Sequence, residues 1–225
     1  MFTIIVVGCG ATGSILVSLL AQYAISEKSI KNIILIDGDT VETKNFRNQR
    51  FTAKDVNKKK ARVLSNRYSK LGIAISYIDE YITDSKKLID IIKACKGNII
   101  LVGCVDNNNA RKHMHNAFSA VKSLIYIDTG NGEGDFRAGQ TICGAKQDGK
   151  VIKPPVGDIY PQALLEEAPR VDNEYRCSQI EEHPQNFVAN VMSATVTFTM
   201  LNNIINLKRM NKTFIKFNCD NIDVR

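Results

Sequence analysis

Read for the spacing of apolar positions alone, the chain begins on residues 2–7 (FTIIVV), a continuous β-branched and aromatic run. Such a run marks a strand buried on both faces of a parallel sheet, because a strand with one wet face alternates instead. A glycine turn follows at once, and residues 14–24 then carry Ile15, Leu16, Leu19, Leu20 and Tyr23 at helical spacing. The same alternation of apolar runs with helical periods continues. Strands are predicted at 32–36 (NIILI), 73–78 (IAISYI), 98–104 (NIILVGC) and 123–128 (SLIYID). Helices are predicted at 55–70, 85–94 (capped by Thr83 or Asp84) and 107–121. After residue 130 the period changes. FRAGQTICG (136–144) alternates like an antiparallel strand, and residues 150–184 form a long connection holding all five prolines. A last long helix over about 185–206 and a closing strand at 213–218 complete the pattern. The expected fold is α/β: a Rossmann-like doubly wound sheet, parallel in its N-terminal half, followed by antiparallel strands and a long crossover loop. No repeat, low-complexity tract or linker interrupts it, so residues 1–225 are expected to form one domain, with a nucleotide-binding half at 1–130 and the antiparallel strands, crossover loop and last helix at 131–225.

Composition narrows the class without choosing a function. With 225 residues, 44% hydrophobic and 24% charged, the chain has the make-up of an ordinary globular protein. No run of 18 apolar residues occurs, and the apolar N-terminus is broken by GCGATG with no basic segment before it, so neither a signal peptide nor a membrane association is expected and a cytoplasmic location is. Six scattered cysteines without a C-x-x-C pair argue against a zinc site and for reduced thiols. The net charge of +7 is concentrated in part at Lys58, Lys59, Lys60, Arg62 and Arg67. That run reads first as a solvated helix face, and it also suits an acidic partner such as a nucleotide. No aromatic-interleaved basic motif favours specific nucleic-acid binding.

The candidate chemistry sits at the predicted strand ends. Gly8-Cys9-Gly10-Ala11-Thr12-Gly13 matches G-x-G-x-x-G between a strand and a helix. Gly8 serves the tight turn, Gly10 lets a phosphate approach the backbone, and Gly13 lets helix and strand pack closely. Free N–H groups at the helix start then face an anion. Asp37 and Asp39 end the second strand, with Asp37 24 residues past Gly13, where a Rossmann site places an acid on a ribose hydroxyl. To this point NAD and ATP fit equally. Asn45, Arg47, Gln49, Arg50 and Lys60 follow, and Asp106-Asn107 ends the fourth strand. Cationic side chains clamp a triphosphate and a carboxylate opposite them holds Mg²⁺, whereas NAD requires neither.

In this order the blocks GCGATG, DGD, VETKNFRNQ, DVNKKKA and DNNNAR resemble the ThiF/MoeB/HesA family, the bacterial relatives of ubiquitin-activating enzymes. YIDTGN, GQTICG and RCSQIEEHPQNFVANVMSATV extend the resemblance over most of the chain, to a short ThiF-like member. It implies an ATP·Mg²⁺-dependent adenylyltransferase acting on the C-terminal carboxylate of a small ubiquitin-like or sulfur-carrier protein ending in Gly-Gly, and a homodimer. By position, Asp37 would hold the ribose, Asn45 and Lys60 the phosphates, and Asp106 the Mg²⁺ and the in-line attack on the α-phosphate. The family arginine of N-L-x-R-Q falls on Asn48, so the clamp passes to the flanking Arg47 and Arg50. The glycine before Lys58 in the family loop is Asn57. An N-terminal extension with an arginine for the neighbouring subunit's ATP has no counterpart before residue 2. Cys177, beside Arg176, stands where some members carry an acyl-accepting or persulfide cysteine; the alternative is a half-buried loop cysteine. Two other functions remain open: a nucleotide-binding partner protein without turnover, and an NAD-dependent oxidoreductase, which leaves Asn45, Lys60 and Asp106 unused.

Overall fold

The computed structural model describes residues 1–132, 137–165 and 186–225. Its centre is β1 (Phe2–Val7), buried along its whole length. Helix α1 (Ala11–Ser26) returns the chain to β2 (Ile30–Ile36), which pairs with β1 in parallel. Then α2 (Lys60–Tyr68) leads to β3 (Ile75–Ile78) at that edge. The chain next crosses to the other side of β1 through α3 (Ser85–Ala94), whose cap is Asp84, accepting from the Lys86 N–H at 2.9 Å. There β4 (Asn98–Gly103) pairs with β1, α4 (Asn108–Ala120) follows, and β5 (Leu124–Asn131) pairs with β4, again in parallel.

From β5 onward the partners are antiparallel. β6 (Ala138–Gln147) pairs with β5, then β8 (Phe214–Asn218) with β6 and the two-residue β9 (Asp223–Val224) with β8. The sheet order is therefore β3-β2-β1-β4-β5-β6-β8-β9, with β7 (Lys150–Lys153) attached to β6. Beyond β7 lie a short helix α5 (Val156–Ile159) and a 3₁₀ turn (Pro161–Leu164); the closing helix α6 is Phe187–Ile205.

Alternate residues of each central strand feed two cores. Ile4, Val6, Ile33, Leu35, Ile100 and Val102 face α1, α2 and α6. Ile5, Val7, Ile36 and Leu101 face α3 and α4. Each fully buried aliphatic side chain contributes about 1.5–3 kcal/mol, so these paired rows explain why the parallel half reads as unbroken apolar runs.

Two expectations change. The segment from residue 150 does not start as loop: Asp148 (φ 49°) and Gly149 (φ 84°) make a two-residue hairpin turn into β7, the signal being Asp-Gly itself. The helix expected over 55–70 begins only at Lys60. Asn57 takes a left-handed φ of 65°, Lys59 bridges to Thr40, and the preceding 53–55 stretch is a separate 3₁₀ turn. Helix α6 is long and apolar enough by length and composition alone to cross a membrane, but it packs as a wall of the fold, with Asn190, Ser193 and Thr197 buried among its apolar residues.

Candidate functional site

The parallel topology puts the carboxyl ends of β1, β2, β4 and β5 on one edge. Because β2 and β4 leave β1 in opposite directions, the sheet has its topological switch point at Gly8. The glycine turn is built to be tight. Gly8 has φ 91°, and a Cβ there would meet the Cys104 carbonyl oxygen at 2.4 Å; a Cβ on Gly13 would lie 1.9 Å from the Gly8 oxygen. At Gly10, by contrast, an added Cβ meets nothing among the described residues within 4 Å. Gly10 is the N-cap of α1 and no side chain among the described residues caps this helix, so the positive end of its dipole is left for an anion.

Asp37 ties the ends of β1 and β2 together. Its Oδ2 accepts the Cys9 N–H at 2.5 Å and its Oδ1 the Asp39 N–H at 2.7 Å. At 9% exposure, burial pushes this carboxyl up, and the two N–H bonds offset that only in part. Asp39 behaves oppositely. Burial would raise it, but the Tyr81 hydroxyl and the Lys60 ammonium together outweigh burial and hold it below the ordinary range. Lys60 opens α2, donates its backbone N–H to the Asp39 carbonyl at 3.0 Å and places its nearly buried Nζ 2.9 Å from Asp39 Oδ2. The Tyr81 ring lies against Gly38 and its hydroxyl donates to Asp39 Oδ1.

The 3₁₀ turn Thr43–Arg47 presents the next group. Buried Asn45 uses its Oδ1 to accept the Glu42 N–H at 2.8 Å, which leaves its amide N–H groups as donors. Arg47 and Arg50 are exposed, and neither guanidinium forms an ion pair with the described residues. The Arg50 backbone N–H donates to Ser14 Oγ at 3.0 Å, docking this loop on the first turn of α1. Buried Gln49 Oε1 has no hydrogen-bond partner among the described residues.

Asp106 is exposed in the turn after β4, and Asn107 caps α4 by accepting the Ala110 N–H at 2.8 Å. The turn touches the glycine loop, since the Cys104 N–H donates to the Val7 carbonyl at 2.8 Å. Beneath it, Arg111 pairs with Asp128. Burial pushes the Asp128 carboxyl up, against the pull of Arg111. Thr12 is turned inward: its hydroxyl donates to Asn190 Oδ1 at 3.2 Å, and Asn131 Nδ2 donates to the same oxygen at 2.8 Å.

The fold thus gathers Gly8, Gly10, Ala11, Thr12, Gly13, Asp37, Asp39, Asn45, Arg47, Arg50, Lys60, Asp106 and Asn107 along one edge. Cys177 and Arg176 lie outside the described residues. Cys9 is wholly buried and Cys104 is partly buried, and burial raises both thiols, which places them in the core wall. Sequence reasoning gave no part to Tyr81, Arg111, Asp128 or Asn190. The signals were an aromatic just past a strand, the arginine closing DNNNAR, an acid ending an apolar strand and an amide inside an apolar helix.

Solved structures share this architecture. Escherichia coli MccB with succinimide superposes with a TM-score of 0.69 at 20% identity, over 99% of this chain and 62% of that one. E. coli MccB with ATP gives 0.67 at 21% identity, over 99% and 62%. PaaA gives 0.70 at 14% identity, over 100% and 63%. MccB has also been solved with AMPCPP and MccA. The chain spans somewhat under two thirds of the length of these structures. No curated protein matches it by sequence. The ThiF family model matches residues 1–219, nearly the whole length, and the chain belongs to the ThiF family.

Proposed function

We propose that this protein uses ATP·Mg²⁺ to adenylate the C-terminal carboxylate of a small ubiquitin-like or sulfur-carrier protein, working as a homodimer. The observation that carries the reading is the meeting of uncapped α1, the Asp39–Lys60 pair and Asp106 at one switch point. An NAD site would leave that pair and Asp106 without work. MccB, solved with ATP and also with AMPCPP and MccA together, supports a site that takes a nucleotide beside a second partner.

The residues present fit a triphosphate. The α1 terminus receives phosphate oxygens, Gly10 leaves room for them, and Asn45, Arg47, Arg50 and Lys60 supply donors. They also fit Mg²⁺: no group of three metal-binding side chains gathers among the described residues, and Mg²⁺ held between one carboxylate and substrate phosphates needs none. Asp106 would hold it, and the bound ion supplies charge neutralisation on the phosphate oxygens. Asp37 accepts a ribose hydroxyl with lone pairs its two N–H donors leave free. A carboxylate oxygen of the carrier attacks the α-phosphorus, the bond to the bridging oxygen breaks, and pyrophosphate leaves with that electron pair. The chain's contribution is placement and charge, with no proton to abstract.

Thermal unfolding with ATP·Mg²⁺, ATP with EDTA, and NAD tests the nucleotide choice without knowing the carrier. Ligand at a hundred times its dissociation constant stabilises by about 2.7 kcal/mol, raising the midpoint of a chain this size by about 5–10 °C. Metal-dependent stabilisation by ATP is expected; stabilisation by NAD alone would give the oxidoreductase reading first place. Pyrophosphate exchange, stimulated by a carrier ending in Gly-Gly, then separates an enzyme from a nucleotide-binding partner.

The raised Asp37 carboxyl adds a pH test. A raised value means the free protein keeps the proton to higher pH, so the acceptor form is lost sooner on acidification than for an ordinary aspartate. ATP affinity should fall by about tenfold per pH unit below the Asp37 value. Asp37→Asn should bind ATP weakly and lack that limb; an unchanged acid limb in the variant would remove Asp37 from the ribose.

A further inference from the structure

Asp106 can act only if the turn that carries it holds still, and that turn has few backbone anchors. Cys104 is fixed at its start by Val7, and Asn107 is fixed at its end by capping α4. Between them the Val105 carbonyl accepts from Arg111 Nη2 at 2.6 Å. The same guanidinium donates through Nε to Asp128 Oδ1 at 3.2 Å, and Asp128 Oδ2 accepts the Tyr126 hydroxyl at 3.1 Å. Arg111 belongs to the first turn of α4, while Tyr126 and Asp128 belong to β5, so two elements are tied to the turn that carries Asp106. Asp128 is 4% exposed and Tyr126 is wholly buried. The packing is close: a Cβ on Gly103 would come 3.0 Å from Asp128 Oδ2.

Arg111 is badly placed to be a phosphate clamp, because its donors are turned inward on Asp128, Val105 and Asn108. Nor does a buried ion pair explain itself by stability, since apolar replacements of such pairs are often neutral. What a planar fork provides is direction, through several bonds at fixed angles from one group. We infer that Arg111 is a positioning residue that fixes the 105–107 turn against β5 and so holds Asp106 in place toward metal and phosphate. The inference rests on the reading of Asp106 given above.

Arg111→Lys keeps the charge beside Asp128 but offers one nitrogen centre, which cannot span Asp128 and the Val105 carbonyl together. Arg111→Gln removes the charge. In the ligand-free variants, hydrogen exchange at the Cys104 and Ala110 amides should quicken by about tenfold while β1 and β5 amides stay unchanged, and the Mg²⁺ concentration needed for ATP binding should rise by about 10–100-fold. ATP affinity without metal should stay within about twofold, a split that general destabilisation does not produce. Arg111→Lys guards against a failure of Arg111→Gln to fold. Unchanged exchange, or equal losses of ATP affinity with and without metal, would overturn the inference while wild-type binding stands. A wild type that binds ATP without regard to Mg²⁺ would overturn the reading of Asp106 and the inference with it.

Discussion

Asp106→Ala is expected to leave the protein folded, with its unfolding midpoint within a few degrees of wild type, and to abolish carrier-dependent pyrophosphate exchange. The side chain is exposed, and the turn around it is anchored through Cys104, Val105 and Asn107. Surface substitutions of this kind usually change stability by under about 0.5 kcal/mol. The loss in rate is of another size. Removing a group whose charge interaction strengthens in the transition state costs about 3–4 kcal/mol, or about two to three orders of magnitude. The thermal shift with ATP·Mg²⁺ should shrink to that seen with ATP and EDTA. Exchange retained within about tenfold would mean that Asp106 does not hold the metal.

The glycine turn should separate fold from binding. Gly13→Ala places a methyl carbon 1.9 Å from the Gly8 carbonyl oxygen and 2.9 Å from its carbon. Both are backbone atoms, and the turn is further held by the Gly8 N–H bond to Ile36 at 2.9 Å, so no flexible side chain can yield. A cost of about 3 kcal/mol or more is expected, lowering the midpoint by at least about 6 °C. Gly10→Ala meets no such obstacle, because nothing among the described residues lies within 4 Å of the added carbon. It should cost far less stability than Gly13→Ala and yet lose ATP affinity by about tenfold or more, since the methyl group enters the path by which phosphate reaches the backbone. Chemical denaturation and ATP titration of the two variants check this; a destabilised Gly10→Ala with normal affinity would refute it.

The parallel half of the fold was legible because its strands are buried on both faces, so Phe2–Val7 and Asn98–Gly103 read as unbroken apolar runs beside glycine and Asp-Asn turns. The remainder was less so. Lys150–Lys153 is a four-residue edge strand with charged ends, too short for a period to show. Residues 55–59 carry a helical pattern that a tertiary contact overrides: Lys59 pairs with Thr40, and the helix starts where Lys60 can reach Asp39. Within the site, the blocks shared with the family located the acids and cations, since each lies just past a strand end. The knot of Arg111, Asp128 and Tyr126 was hidden because its members lie on different elements, and an arginine on an amphipathic helix reads as solvated.

The bond from Thr12 to Asn190 joins positions 178 residues apart, and α6 covers the face of α1 that also carries Leu16 and Leu20. This has a consequence for synthesis. On the ribosome, β1 and α1 emerge well before the α6 wall that covers them, so a nascent chain exposes an apolar helix face until that helix is made. Long-range closure of this kind is slow, and the exposed intermediate invites association with other chains. Expression in cells should therefore depend on chaperone capacity and growth temperature more steeply than the stability of the finished protein would suggest.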